Sequence, residues 1–201
     1  MKIISGFLFV LFIFITRLSF SQAPVVSFQH AYGGSSGESI YDLQKTFDGG
    51  IIMAGSAYSD DGDLTGNHGS NDYLVIKLDA DRNVQWIKNY GGSGSDYAFS
   101  IRQTADGGYI AVGGSESDDG DVTGHHDPVY QRDCWVVKLD AEGNIIWQKS
   151  LGGSGTDIGH CVQQTTDGGY IIAAETFSFD GDVSNAIGSG DYWIVKLDAS
   201  G

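Results

Sequence analysis

Residues 90–147, YGGSGSDYAFSIRQTADGGYIAVGGSESDDGDVTGHHDPVYQRDCWVVKLDAEGNIIW, hold one complete unit of a repeat that accounts for nearly the whole chain. Tyr32-Gly33-Gly34, Tyr90-Gly91-Gly92 and Leu151-Gly152-Gly153 open three copies. Each copy continues to an Asp-Gly-Gly turn (Asp48, Asp106, Asp167) and then to a Lys-Leu-Asp triplet (Lys77, Lys138, Lys196). The period is about 60 residues, slightly longer in the second copy, and a fixed period of this kind has to be read before any local pattern.

Within a copy, four short segments have strand chemistry and none has helical periodicity. The first runs from Glu38 to Thr46, with Asp96 to Thr104 and Asp157 to Thr165 as counterparts, and alternates apolar with polar residues. The second follows the Asp-Gly-Gly turn and is apolar on both faces, as in Tyr109-Ile110-Ala111-Val112-Gly113; a strand without alternation is covered on both sides. The third holds Leu74, Trp135 or Trp193, and the fourth centres on Trp86 or Trp147. Ahead of the first copy, Val26 to Tyr32 aligns with Val84 to Tyr90, which predicts an N-terminal outer strand over 25–32.

Tandem four-stranded meanders buried on both faces are the sequence form of β-propeller blades. The expectation is an all-β, propeller-type region over 22–201 of about three blades, with repeats at about 32–89, 90–150 and 151–201. Because a closed ring takes at least four blades, the ring is expected to be incomplete and the chain to be the leading part of a longer one.

Residues 1–21 read as a secretory signal peptide: Lys2, an apolar run from Ile3 to Ile15, then Ser19 and Ser21 before a cut at Gln22. The chain carries 11 basic and 26 acidic side chains, for a net charge of −15. Lys2 and Arg17 fall in the leader, so the secreted form is more acidic still. Nucleic acid, which demands a basic face, is excluded as a partner; the expected partner is a protein or a glycan outside the cell, with no membrane span in the mature chain. Cys134 and Cys161 occupy different columns of the repeat, and neither a disulfide nor separate packing is decided by spacing.

The motifs Trp-x-Lys-x-Tyr/Leu-Gly-Gly-Ser, Thr-x-Asp-Gly-Gly-Tyr-Ile and Asp-x-Trp-x-Val-Lys-Leu-Asp-x-x-Gly-Asn resemble the repeats of large secreted propeller-like proteins of the Bacteroidota, over about Val26 to Gly201. That resemblance implies a C-terminal sorting tail for type IX secretion, which would lie beyond Gly201. A weaker resemblance to kelch repeats rests on Val112-Gly113-Gly114 followed by Trp135 and Trp147. Neither resemblance fixes an activity, since such scaffolds host hydrolases, lectins and binding proteins alike.

Asp48, Asp106 and Asp167 read as caps of their own turns. Lys77, Lys138 and Lys196 sit in apolar strands and need a carboxylate partner, with the Glu38, Asp96, Asp157 column or the Asp72, Asp133, Asp191 column as candidates. The richest oxygen cluster is Asp60-Asp61-Gly62-Asp63, matched by Asp118-Asp119-Gly120-Asp121 and by Asp180-Gly181-Asp182. These eight acids are the candidate calcium ligands, although the regular spacing and distal Glu of an EF-hand are missing and a solvated turn also explains them. Gly33-Gly34-Ser35-Ser36-Gly37 matches a nucleophile-elbow pattern in the first copy alone, and His125-His126-Asp127 gives a weak zinc pattern. Tyr41, Phe99 and His160 read as a packing column. No catalytic residue is assigned. The expected function is non-enzymatic binding or scaffolding; a carbohydrate-active or other hydrolytic enzyme with its catalytic groups in further blades, and a lectin-like sugar binder, are the alternatives.

Overall fold

The computed structural model describes residues 24–126 and 131–201, so the signal peptide expected over 1–21 lies outside the described residues. Among the described residues eleven strands run β1 Glu38–Lys45, β2 Ile51–Ala57, β3 Asp72–Leu78, β4 Val84–Tyr90, β5 Asp96–Gln103, β6 Tyr109–Ser115, β7 Asp133–Leu139, β8 Ile145–Leu151, β9 Asp157–Gln164, β10 Tyr170–Thr176 and β11 Asp191–Leu197. They form three antiparallel meanders: β1-β2-β3-β4, β5-β6-β7-β8, and β9-β10-β11. The described residues contain no helix, and none is long and apolar enough to cross a membrane. All-β character and the repeat therefore stand as expected.

The outer strand expected over 25–32 is not formed. Residues 24–31 lie outside the strands and are exposed, and the outer place in the first sheet belongs to β4. The Val26–Tyr32 sequence matches β4 in pattern, but a pattern gives a segment a face to bury and does not give it a partner strand.

Each Asp-Gly-Gly turn closes tightly because its first glycine adopts positive φ (84° at Gly49, 86° at Gly107, 85° at Gly168), a region that costs a side chain energy. The turn acid does two jobs. Asp48 Oδ1 accepts the Gly50 N–H (2.9 Å), while Asp48 Oδ2 lies 2.9 Å from Lys77 Nζ, which also donates to the Leu78 carbonyl. Lys138 with Asp106 and Lys196 with Asp167 repeat the pair at 2.9 Å. The lysines, buried at Lys77 and Lys138 and exposed at Lys196, thus pair inside each sheet with the turn acids, and both columns proposed for them from sequence are wrong: a lysine at the end of strand three reaches the adjacent hairpin, whereas those acids sit at the far end of the strands.

β3, β6 and β7 are buried at every position. One core cluster joins Ile52, Ala54, Tyr73 and Val75 of the first sheet to Ala98, Ile101, Tyr109, Trp135 and Val137 of the second. A second joins Ile110, Val112, Cys134 and Val136 to Val162, Tyr170, Ile172 and Leu197 of the third. At the first junction Tyr73 meets Trp135 edge-on (centroids 4.5 Å) and its hydroxyl donates to the Trp135 carbonyl at 2.9 Å. Trp86 and Trp147 sit at equivalent outer positions and pack edge-on against Tyr109 and Tyr170 of the next sheet. Cys134 and Cys161 are free thiols.

Candidate functional site: the long-loop end and the inner strand edges

In an up-and-down meander the turns after strands one and three fall at one end. The opposite end carries the Gly-Gly-Ser connections and the long loops after strand two. The structure ties these two kinds of segment together with the acids that the sequence marked as calcium ligands. Asp61 Oδ1 accepts the Ser35 N–H (2.6 Å), Asp119 Oδ1 the Ser93 N–H (2.7 Å) and Asp180 Oδ1 the Ser154 N–H (2.7 Å). Asp63, Asp121 and Asp182 each accept the first Gly N–H of the same connection at 3.3 Å. Their own backbone N–H groups donate back to that glycine's carbonyl. Asp60 accepts the N–H groups of Gly66 and Asn67 within its own loop. Accepting these N–H bonds holds the Asp61, Asp119 and Asp180 carboxyls below the usual carboxylate range.

The glycine between the two acids is required by this clasp. At Gly62, Gly120 and Gly181 φ is 62–66° and an added Cβ would strike the Gly33, Gly91 or Gly152 carbonyl. Asp60, Asp61, Asp63, Asp118, Asp119, Asp121, Asp180 and Asp182 therefore lie at the loop end as expected. Among the described residues, however, no three His, Cys, Asp or Glu side chains gather as a metal set. The serines of Gly33-Gly34-Ser35-Ser36-Gly37 belong to the same clasp, with the Ser36 N–H donating to Ser59 Oγ at 2.8 Å.

Beneath the clasps, four acids of the columns that sequence analysis offered to the lysines form buried pairs between sheets, Asp72 with Asp96 and Asp133 with Asp157. At the first junction Asp72 Oδ2 accepts the His68 N–H (2.8 Å) and lies 2.6 Å from His68 Nδ1. Asp96 Oδ2 accepts the Gly92 N–H and the Ser117 hydroxyl, both at 2.9 Å. The second junction repeats this with Asp133 and His126, and with Asp157, Gly153 and Ser178. All four acids are fully buried, and the Oδ1 of each has no partner. An added Cβ at Gly91 would run into both Asp72 and Asp96, and one at Gly152 into Asp133 and Asp157. Burial, with Asp72 as a like-charged neighbour, pushes Asp96 up to about 6; Asp72 and Asp157 are raised for the same first cause. The Asp72 and Asp133 carboxylates raise His68 and His126 against the opposing effect of burial.

His126 and His125 diverge: one faces Asp133, the other has Nε2 3.1 Å from the Ser115 carbonyl. They do not form a joint ligand pair, and Asp127 lies outside the described residues. No family model matches the chain, and no curated protein matches it.

Sequence reasoning missed the inner edges. The β1–β2, β5–β6 and β9–β10 ladders each skip one residue, at Tyr41, Phe99 and His160. The three rings do pack on one another, but they are not core: Tyr41 is 48% exposed, the His160 side chain is 51% exposed, and Phe99 between them is half-buried. The bulge breaks the period-two alternation on which a buried assignment depends. A signal was present in Gly55 and Gly113, where an added Cβ would strike the bulged strand at the Ser39 and Tyr97 carbonyls.

Proposed function

We propose that the chain is a secreted, non-enzymatic binding or scaffolding protein of propeller type, in which each sheet is a blade and the partner is a protein or a glycan. One observation carries the reading: the inter-sheet junction is built twice from equivalent residues, His68, Asp72 and Asp96 and then His126, Asp133 and Asp157. Residues spent on a duplicated junction serve the scaffold. The surfaces left for a partner are the loop end and the inner edges, and loops on a rigid scaffold are where binding concentrates. The resemblance to secreted Bacteroidota repeats supports the same reading.

The test is co-sedimentation of residues 22–201 with insoluble polysaccharides and with cell-envelope material, measuring released sugar and amine in the same tubes. Retention without release is the expected result. Release of product, or no retention by any material, refutes the proposal.

A further inference from the structure

The three skipped residues come together. β1, β5 and β9 lie side by side at the inner edges of their sheets, and each carries its bulge at the equivalent position. The Tyr41 and Phe99 ring centroids are 5.1 Å apart, and those of Phe99 and His160 are 6.0 Å apart. Tyr97 lies parallel to Phe99, within 6° at 6.3 Å, and the Arg132 guanidinium sits 4.7 Å over the Tyr97 ring. A row of rings, one contributed by each sheet, thus runs across the junctions with its two ends exposed.

Hydrogen-bonding groups flank the row. Asp42 and Arg102 form an ion pair, one residue beyond Tyr41 on β1 and three beyond Phe99 on β5. Glu175 Oε1 is 3.4 Å from His160 Nε2. A bulge re-aims a side chain at the cost of ladder pairing, and three in register aim three rings at one strip of surface. Tyr41 and His160 are half in solvent, and Ile40 and Leu43 beside Tyr41 on β1 are exposed with it, so the strip is an open apolar surface.

We propose that Tyr41, Phe99 and His160 form a stacking platform for an extended, neutral glycan, with pyranose faces laid on the rings and hydroxyls bonded to Asp42, Arg102 and Glu175. This inference rests on the binding function proposed above and names its ligand. Aromatic faces carry negative potential, so they attract the weakly positive C–H faces of a sugar. The strongly acidic chain (net −15) repels polyanions, which removes nucleic acids and sulfated or uronic polymers. An open strip, rather than an enclosed cavity, suits a chain over a small molecule.

The experiment is calorimetric titration of residues 22–201 with cello-, manno-, xylo- and chitohexaose, on the wild type and on Tyr41→Ala, His160→Ala and His160→Phe. Thermal melts confirm that each variant is folded, as expected for exposed positions. At least one hexasaccharide binds the wild type, both alanine variants lose about ten-fold or more in affinity, and His160→Phe retains binding. Affinity unchanged in both alanine variants refutes the platform while leaving a glycan-binding protein. Failure of the folded wild type to bind any of the four refutes the ligand class; retention in the sedimentation test of a protein partner alone would then preserve the broader function.

Discussion

Neutralising one buried acid tests the inter-sheet junction most directly. Asp96 is inaccessible to solvent, spends Oδ2 on Gly92 and Ser117, leaves Oδ1 unpartnered, and has Asp72 as a like-charged neighbour. An acid that titrates at 3.8 when unfolded and at about 6 when folded destabilises the folded chain by about 3 kcal/mol once both states are ionised. The sign follows from the raised folded value: the stability of the protonated form is fully present below pH 3.8 and is lost as pH rises through about 6. Asn at this position keeps an oxygen for the Gly92 and Ser117 donors and brings an amide N–H toward Asp72. Asp96→Asn is therefore expected to gain up to about 3 kcal/mol relative to wild type between pH 4 and pH 7.5, or on the order of 5–10 °C in Tm for a chain of this size. His68 and His126, also raised, add stability that is present below their unfolded pKa and lost as pH rises through the folded one. The wild type should thus melt highest in mildly acidic buffer. The assay is a series of chemical and thermal melts from pH 4 to pH 8 on both proteins; identical pH slopes, or a wild type that gains stability toward pH 7.5, would refute the buried-pair account.

Trp135→Ala empties a site with no solvent exposure and should cost about 3–5 kcal/mol in urea unfolding, whereas Trp147→Ala removes a half-buried ring and should cost clearly less; the reverse order would show that the outer strands, not the junctions, hold the stability. Lys138→Met leaves Asp106 capping its turn through the Gly108 N–H (3.1 Å) but removes its ion pair, so the Asp106 carboxyl should titrate nearer its ordinary value by carbon-detected NMR; no movement would mean that the turn alone lowers it. Adding calcium to chelated protein is expected to leave Tm unchanged, since the clasp acids bond to backbone N–H groups and do not converge; a rise abolished by Asp61→Asn with Asp63→Asn would reinstate the ion.

The repeat and the order of β1 to β11 were legible in the sequence, because the Asp-Gly-Gly turns and the doubly apolar second strands are local properties that recur at one spacing; the strand expected over 25–32 was not. The sequence also placed the long loops and the Gly-Gly-Ser connections at one end, which follows from an antiparallel meander alone. What it left open were the partners of charged and aromatic groups, and those depend on which residues of other copies come near. Lys77 could not be assigned to Asp48 from spacing, since hairpin register and side-chain direction decide its reach. The recurrence of Asp61, Asp119 and Asp180 suggests an ion, and spacing does not reveal that in the tertiary structure each accepts a backbone N–H 26 residues away in the chain. Tyr41, Phe99 and His160 look like core because alternation presumes an unbroken ladder; only the folded sheets, with a bulge at each of the three positions, bring the rings into one row with Tyr41 and His160 in solvent and Phe99 half-buried between them.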